Sequence, residues 1–283
     1  MKKVIVITGS STGFGALMVK TFDNAGHTVI ATMRNVKDKN AEFAAKLNAL
    51  PNTEVMDLDV TSDESVKTAV AGIYEKYGKI DVLINNAGIY GGGVLEAFSI
   101  PQIQKLYEVN VWGVLRVNNE VLPAMRAVKD GLIITISSAV GRISPPFQVA
   151  YNSTKFALEG FIEGSYAELI GHGVETVLIE PGAFLTEIMG KPGTNADREG
   201  VQESYGEETA AMSQFIQQGF MKIFAEAAPD PQLVADAAFT LVNTEKGKRP
   251  LRTPVDPSAH GLDIEYNNTT NDLKTRWMSE YGF

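Results

Sequence analysis

Residues 4–15 read Val4-Ile5-Val6-Ile7-Thr8-Gly9-Ser10-Ser11-Thr12-Gly13-Phe14-Gly15. The β-branched run at 4–7 predicts a buried strand, and the apolar positions beyond Gly15, among them Leu17 and Phe22, predict a helix. Between them the glycines predict a tight turn. A strand, a glycine-rich turn and a helix N-terminus can together hold a pyrophosphate, because glycine lets the backbone come close and the first N–H groups of a helix are unpaired. A purely structural turn is the alternative, since the spacing G-x-x-x-G-x-G departs from the usual G-x-G-x-x-G.

Strand and helix patterns alternate along the rest of the chain. Further strands are predicted at 27–33, 53–58, 81–84, 133–137 and 174–179. Helices are predicted at about 38–49, from Thr61 or Ser62 onward, at about 101–128 and at about 149–170. Repeated strand–helix units imply a doubly wound parallel sheet with helices on both faces, which is a Rossmann fold in a single α/β domain over residues 1–283. Pro123 is expected to kink or divide the helix in which it lies.

Composition narrows the classes of function. The chain has 283 residues and a net charge of −9, which disfavours a nucleic-acid surface. It has no cysteine and only three scattered histidines, so neither a disulfide framework nor a metal site is predicted. The apolar run at the N-terminus is too short for a signal peptide, and no run approaches the roughly 20 apolar residues of a membrane span. We therefore expect a cytoplasmic protein that binds neither membrane nor nucleic acid.

A second segment, Tyr151-Asn152-Ser153-Thr154-Lys155, carries the chemistry. Positions i and i+4 of a helix share a face, so the phenol of Tyr151 and the ammonium of Lys155 are expected to lie side by side. A neighbouring cation favours the phenolate, and Lys155 is therefore expected to lower the pKa of Tyr151 from roughly 10. Ser138, thirteen residues before Tyr151, can hold a carbonyl or alcohol oxygen. This set suits carbonyl–alcohol interconversion, for which a cofactor must carry the hydride.

Six separated motifs resemble those of the short-chain dehydrogenase/reductase family, over roughly residues 1–190. In chain order they are Thr8-Gly9-x-x-x-Gly13-x-Gly15, Asn85-Asn86-Ala87-Gly88, Asn110, Ser138, the pair Tyr151 and Lys155, and Pro181-Gly182 with Thr186. The resemblance implies a Rossmann fold, a nicotinamide cofactor, a small-molecule carbonyl or alcohol substrate and a homo-oligomer.

The resemblance also implies four catalytic residues. Tyr151 is expected to be the general acid in reduction and the base in oxidation, and Ser138 to polarise the carbonyl. Lys155 is expected to bind the nicotinamide ribose, and Asn110 to hold a water in the proton relay. Ser137 is the alternative to Ser138, although the gap of thirteen residues to Tyr151 favours Ser138.

The resemblance also implies the residues at the cofactor. It implies that Asp59 contacts the adenine amino group and that Val60 packs on the adenine ring. The full set of residues expected at the cofactor is Gly9, Ser11, Thr12, Gly13, Phe14, Gly15, Arg34, Asp59, Val60, Asn86, Ala87, Gly88, Tyr151, Lys155, Pro181, Gly182 and Thr186.

The end of the second strand bears on the choice of nicotinamide. An acidic residue there would bind the ribose hydroxyls and repel a 2′-phosphate, but this chain has Met33, Arg34 and Asn35. Arg34 can pair with a 2′-phosphate, which favours NADP(H) over NAD(H). A solvated loop arginine is the alternative, and Ser10, Ser11 and Thr12 stand where many NADP-preferring relatives carry a basic residue.

Residues 183–230 are expected to form a substrate-binding lid after a cofactor-binding and catalytic core at 1–182, with 231–283 completing the fold. A pattern at 214–224 predicts an amphipathic helix, for which ordinary core packing is the alternative. Glycines at 190, 193, 200 and 206, beside Pro192, predict mobility. Apolar lid residues, among them Met189, Phe215 and Phe220, and the opposite wall at 145–149 suit an apolar substrate. No chemistry is evident in the tail 251–283.

Together these features predict an NADP-dependent oxidoreductase of apolar carbonyl compounds and alcohols. Two alternatives stay open. One is an NAD-linked alcohol or hydroxysteroid dehydrogenase, and the other is a cofactor-sensing protein that keeps the fold without turnover.

Overall fold

The computed structural model describes residues 2–190, 195–226 and 228–282. Within them, seven strands form one sheet in the order β3-β2-β1-β4-β5-β6-β7. Every neighbouring pair runs parallel. The strands are β1 Val4–Ile7, β2 Thr28–Met33, β3 Thr53–Asp57, β4 Val82–Asn85, β5 Gly131–Ile136, β6 Val174–Pro181 and β7 Arg252–Val255. The predicted α/β class, with a doubly wound parallel sheet of the Rossmann type, is confirmed.

Ten α-helices lie in the described part of the chain. They are α1 Gly13–Asn24, α2 Ala41–Asn48, α3 Asp63–Tyr77, α4 Ile100–Tyr107, α5 Gly113–Val128, α6 Val149–Ile170, α7 Val201–Ser204, α8 Gly206–Glu226, α9 Gln232–Asn243 and α10 Leu262–Glu280. The Ser62 hydroxyl caps α3 by accepting a hydrogen bond from the Ser65 N–H at 3.2 Å, as one of the two predicted caps.

The alternating side chains of β1 show why helices cover both faces of the sheet. Ile5 and Ile7 are buried in a cluster with residues of α1, α2 and α9. Val4 and Val6 are buried in a second cluster with residues of α3 and α5. Successive side chains of a strand point to opposite faces, so an apolar run such as this one needs cover on both. Burying each of these side chains contributes roughly 1.5–3 kcal/mol.

The helix predicted at 101–128 is divided, but not at Pro123. A π-helical turn, Glu108–Trp112, separates α4 from α5, and Pro123 lies inside an unbroken α5. Pro123 and Asn119 are both exposed, so the carbonyl that loses its hydrogen-bond donor lies on the solvent side. The wider turn contains Asn110, whose buried side chain is committed to tertiary hydrogen bonds.

The tail completes the sheet. Strand β7 pairs with β6, with Val255 opposite Pro181, and α10 follows it. Strand β6 extends two residues beyond its predicted end at 179. The amphipathic helix predicted at 214–224 lies within α8, none of whose described side chains is buried. Pro192 and Gly193 fall outside the described residues.

Candidate active site

A cavity of about 1340 Å³ runs along the edge of the sheet formed by the carboxyl ends of its strands. Parallel sheets bind ligands at this edge, because all strands finish there and the helices begin. Most residues predicted for the site line the cavity: Gly9, Ser11, Thr12, Gly13, Phe14, Arg34, Asp59, Val60, Asn86, Ala87, Gly88, Ser138, Tyr151, Lys155, Pro181, Gly182 and Thr186. Gly15 and Asn110 are not among its lining residues.

The glycine turn is packed tightly on the segment that follows β4. Gly9 has a φ of +66°, and a Cβ on it would lie 2.6 Å from the Ala87 Cα. A Cβ on Gly15 would lie 2.5 Å from the Asn86 Nδ2. Asn86 Nδ2 in turn donates to the carbonyls of Thr8 and Gly9, at 2.9 and 3.0 Å. Gly15 therefore acts outside the cavity by letting the two loops meet.

The N-terminus of α1 fits the phosphates of a dinucleotide. Its N-cap residue, Thr12, makes no side-chain hydrogen bond to the helix in the described structure, so the side chain leaves the first N–H groups to a ligand. Thr12 and Gly13 line the cavity, and Gly13 adopts a φ of +56°. An uncapped helix N-terminus behind a glycine turn is a ready anion site.

Tyr151, Lys155 and Ser138 meet at the middle of the cavity. Tyr151 and Lys155 project from the first two turns of α6, and Lys155 Nζ lies 5.8 Å from the centre of the Tyr151 ring. Lys155 Nζ donates to the Ile136 carbonyl at 2.9 Å, so the end of β5 holds the ammonium. Ser138 lines the cavity beside Tyr151, and its hydroxyl donates to the Pro181 carbonyl at 3.2 Å. Ser137 also lines the cavity, but its side chain is buried and its hydroxyl donates to the Glu159 carboxylate at 2.5 Å, which favours Ser138.

Burial dominates the protonation of this pair. Burial raises the pKa of Tyr151, the nearby Tyr90 raises it further, and the hydrogen bond with Ser138 lowers it. The net direction is opposite to the expectation that Lys155 lowers this pKa, because desolvation outweighs the other effects. Burial lowers the pKa of Lys155 to about 8, and the Glu159 carboxylate acts against that change. Tyr151 is thus protonated near neutral pH, which is the form a general acid needs.

Asn110 supports the site from beneath. Its Nδ2 donates to the Ile89 carbonyl at 2.9 Å and to Thr154 Oγ1 at 3.1 Å, and its Oδ1 accepts from the Ile89 N–H at 2.8 Å. The side-chain amide therefore joins the π-helical turn to the loop after β4 and to α6. Its predicted part in a proton relay stays a prediction. Sequence reasoning could not foresee the π-helical turn, although such turns are frequent at functional sites.

One end of the cavity has the features of an adenosine site. Arg34, which was predicted, follows β2. Lys39, Asn40 and Phe43, which were not predicted, line the same end. The Asp59 carboxylate accepts hydrogen bonds from the Thr61 N–H at 3.0 Å and from its hydroxyl at 2.7 Å. These bonds hold Asp59 at the wall.

The other end is walled by residues of the tail, which sequence reasoning missed, and by α8, whose Phe220 was predicted for the lid. The tail contributes Pro254, Asp256, Ser258, Ala259, Leu262, Asp263, Tyr266 and Asn267, and α8 contributes Phe220, Ile223 and Phe224. Met189 and Pro145 reach the cavity as predicted, whereas Phe215 is 75% exposed and lies outside it. The tail has no motif, so only the pairing of β7 with β6 brings α10 here.

A large part of the chain matches one known protein family. A family model described as short chain dehydrogenase matches residues 3–197. The chain belongs to the short-chain dehydrogenase family. It is an oxidoreductase of that family, and the predicted resemblance is confirmed at this level.

Individual proteins agree with this assignment. Retinol dehydrogenase 8 of Homo sapiens is 32% identical over 277 residues, which cover 96% of this short-chain dehydrogenase and 85% of the relative. The uncharacterized oxidoreductase YusZ of Bacillus subtilis (strain 168) is 34% identical over 257 residues, with 90% and 89% covered. The crystal structure of a short-chain dehydrogenase from Streptomyces avermitilis has a TM-score of 0.77 and 30% identity, with 100% and 97% covered. Similar solved structures hold either NADP or NAD, so the comparison does not select between them.

The described residues offer no ligand set for a metal ion and no helix that could span a membrane. No group of three or more His, Cys, Asp or Glu side chains in residues 2–190, 195–226 and 228–282 could hold a metal ion. None of the helices described for this short-chain dehydrogenase is long and apolar enough to cross a membrane.

A largely buried group of charges lies beside the site, and two of its members, Arg142 and Glu180, line the cavity. Glu159 and Glu163 of α6 accept hydrogen bonds from Arg252, at 2.8 and 2.6 Å. Glu180, 2% exposed, accepts a hydrogen bond from Asn267, and its Oε1 lies 3.4 Å from Arg252 Nε and 3.8 Å from the Nε of Arg142. Three carboxyl groups thus face two guanidinium groups. Burial and the nearby Glu159 raise the pKa of Glu180, against the effects of Asn267 and the arginines.

We expect Glu180→Gln to stabilise the protein selectively at alkaline pH. Because the pKa of Glu180 is higher in the folded than in the unfolded state, the folded protein holds this proton more tightly. The resulting stabilisation is present at low pH and is lost as pH rises through the raised pKa. Urea unfolding at pH 5.5 and 8.5 should show the variant gaining roughly 1–3 kcal/mol on the wild type between the two pH values. An equal difference at both would contradict the raised pKa.

The structure anchors one part of the predicted lid, residues 183–230. The amides of Ala196, Asp197 and Arg198 donate to the carbonyls of Gly92 and Ala97 at 2.9–3.1 Å, so this part of the segment is anchored. Hydrogen exchange should therefore be fast at 183–190 in the free protein and slower once cofactor and substrate bind. The anchored amides at 196–198 serve as the internal control and should exchange slowly throughout. Slow exchange at 183–190 without ligand would rule out the lid.

Proposed function

We propose that this short-chain dehydrogenase interconverts a carbonyl compound and an alcohol with NADP(H), using Tyr151 as the proton donor and acceptor. The observation that carries the proposal is the meeting of Tyr151, Ser138 and Lys155 in the wall of the cavity that also holds the glycine turn. A general acid must reach the same place as the carbon that receives hydride. The chain brings both requirements to one edge of the sheet.

The steps assigned to the protein follow from this arrangement. The bound nicotinamide cofactor would supply hydride in reduction and accept it in oxidation. Ser138 would donate a hydrogen bond to the substrate oxygen, and Tyr151 would transfer its phenolic proton to that oxygen as negative charge develops there. The raised pKa of Tyr151 keeps this proton in place in the free protein. Lys155 would hold the cofactor ribose and keep positive charge beside the phenol.

The preference for NADP(H) is supported by charge at the adenosine end. Arg34 and Lys39 both line the cavity there. No carboxylate stands at the end of β2, and Asp57 on the adjacent strand accepts a hydrogen bond from the Asn35 N–H at 3.1 Å. Two cations without a competing carboxylate at that strand end favour a 2′-phosphate.

An apolar substrate is supported by the opposite wall. Met189, Phe220, Ile223, Phe224 and Leu262 present flexible or aromatic surface to the cavity. Such walls gain from excluding water around an apolar compound and bind without strict shape requirements. We therefore propose apolar carbonyl compounds or alcohols as the substrate class.

Self-association is also part of the proposal. It is supported by three large apolar side chains that are 42%, 44% and 48% exposed: Trp112 at the end of the π-helical turn, and Phe156 and Phe161 on α6. A cytoplasmic location stays a prediction from the sequence.

Tyr151→Phe should lower kcat by at least about 100-fold, because the proton donor is lost while the ring is kept. The cofactor Kd should stay within about threefold. Tyr166→Phe is the matched control, since Tyr166 lies on the same helix but not among the residues that line the cavity, and it should be indistinguishable from the wild type. Retention of more than about a tenth of the wild-type kcat in Tyr151→Phe would refute the assignment. A wild type that binds cofactor but turns over no member of a carbonyl panel would favour a cofactor-sensing protein.

Arg34→Ala should weaken NADPH binding about 10- to 150-fold, since a charge-assisted contact contributes roughly 1.5–3 kcal/mol. The Kd for NADH should change little. Lys37→Ala removes a nearby charge outside the cavity lining and serves as the control. Equal losses for both cofactors, or a wild-type preference for NADH, would show that Arg34 does not bind a 2′-phosphate.

A further inference from the structure

The end of β5 holds successive turns of α6. Tyr151, Lys155, Glu159 and Glu163 are spaced by four, so they form one stripe along the helix. The Ile136 carbonyl accepts from Lys155 Nζ at 2.9 Å, and the hydroxyl of the next residue, Ser137, donates to Glu159 Oε1 at 2.5 Å. Two consecutive residues of one strand end therefore hold two consecutive turns of the helix that carries Tyr151.

Glu159 is fixed from a second direction by the tail. It is 4% exposed, and its Oε2 accepts from Arg252 Nε at 2.8 Å. Arg252 begins β7, opposite Leu178 of β6, so the sheet fixes its position. Both carboxylate oxygens of Glu159 are thus hydrogen-bonded, one to β5 and one to β7. These two hydrogen bonds fix the place and orientation of the carboxylate.

The main chain at Gly141 packs closely against the contact between Ser137 and Glu159. A Cβ on Gly141 would lie 2.9 Å from Ser137 Oγ, 3.1 Å from Glu159 Cγ and 3.2 Å from the Lys155 carbonyl oxygen. The turn after β5 therefore packs directly on the face of α6 that carries Lys155 and Glu159. Neither Glu159 nor the Lys155 turn can move without displacing main chain.

We propose that Glu159, held by Ser137 and Arg252, is a positioning residue that places a buried carboxylate one helical turn from Lys155 and holds that turn against the end of β5 for the reaction. This inference rests on the proposed function only in assigning Lys155 to the reaction. It also gives the tail a part in the site, because Arg252 lies outside the 3–197 region that matches the family model.

Of the charged groups around Lys155, Glu159 is the one that stabilises its positive charge. Tyr151 and Glu159 flank Lys155 on α6, and Tyr90 packs against Tyr151 from the loop after β4. Arg142 follows β5, Glu180 is the next-to-last residue of β6, and Arg252 begins β7. The arginines oppose a further positive charge, and burial raises the pKa of Glu180 and so favours its neutral form. Glu159 is the carboxylate that counters the loss of the Lys155 proton on burial.

The test is a direct titration of Lys155 in the free protein. Lysine labelled with ¹³C at Cε gives one signal per side chain, and Lys155→Ala identifies the signal of interest. Glu159→Gln should lower the midpoint of that signal by about one pH unit, because the opposite charge one turn away is lost. Glu163→Gln is the matched control, since it also removes a contact to Arg252 but lies two turns from Lys155. Glu159→Asp should restore most of the shift.

Equal midpoints in the wild type, Glu159→Gln and Glu163→Gln would overturn the proposal, as would equal shifts in the two Gln variants. If Glu159→Gln fails to fold, Ser137→Ala decides. It keeps every charge but removes one of the two hydrogen bonds that hold the carboxylate, and should lower the midpoint by about half a pH unit, whereas an unchanged midpoint would overturn the proposal. In the active enzyme the alkaline limb of kcat/KM should move with the midpoint. A wild type without turnover would refute the proposed function and leave the titration readable.

Discussion

Because every strand of the sheet runs parallel, all of the strands end at one edge, and the site consists of what stands at those ends. The glycine turn follows β1, the segment of Asn86 follows β4, Ser138 follows β5 and Pro181 ends β6. Each is distant from the others in sequence. Their meeting depends on the ladder of main-chain hydrogen bonds, which sets the height of each strand against its neighbour.

Desolvation is the second physical effect that shapes the site. It raises the pKa of Tyr151 and lowers that of Lys155, so both side chains are pushed toward their neutral forms. A working pair therefore needs charges that act against burial. Such charges come from Glu159 and Glu163 on later turns of α6 and from the arginines that contact them. The mutual hydrogen bonds of these groups offset the cost of burying them.

The tail reaches the site although it carries no recognisable motif. Residues 252–267 provide Arg252 to the helix that carries Tyr151, and eight residues to the cavity wall. Their contribution is made possible by one short strand, β7, which adds to the edge of the sheet beside β6.

The sequence by itself determined the Rossmann class, the glycine turn and the stripe of Tyr151 and Lys155, because these depend on local patterns of period two or four and on glycine. It could not place the helix division, since the π-helical turn arises from tertiary bonds of Asn110 rather than from Pro123. It also could not give the direction of the Tyr151 pKa shift, which follows from burial. The role of the tail was beyond it as well. Only tertiary structure decides how deeply a group is buried and which distant strand ends beside it.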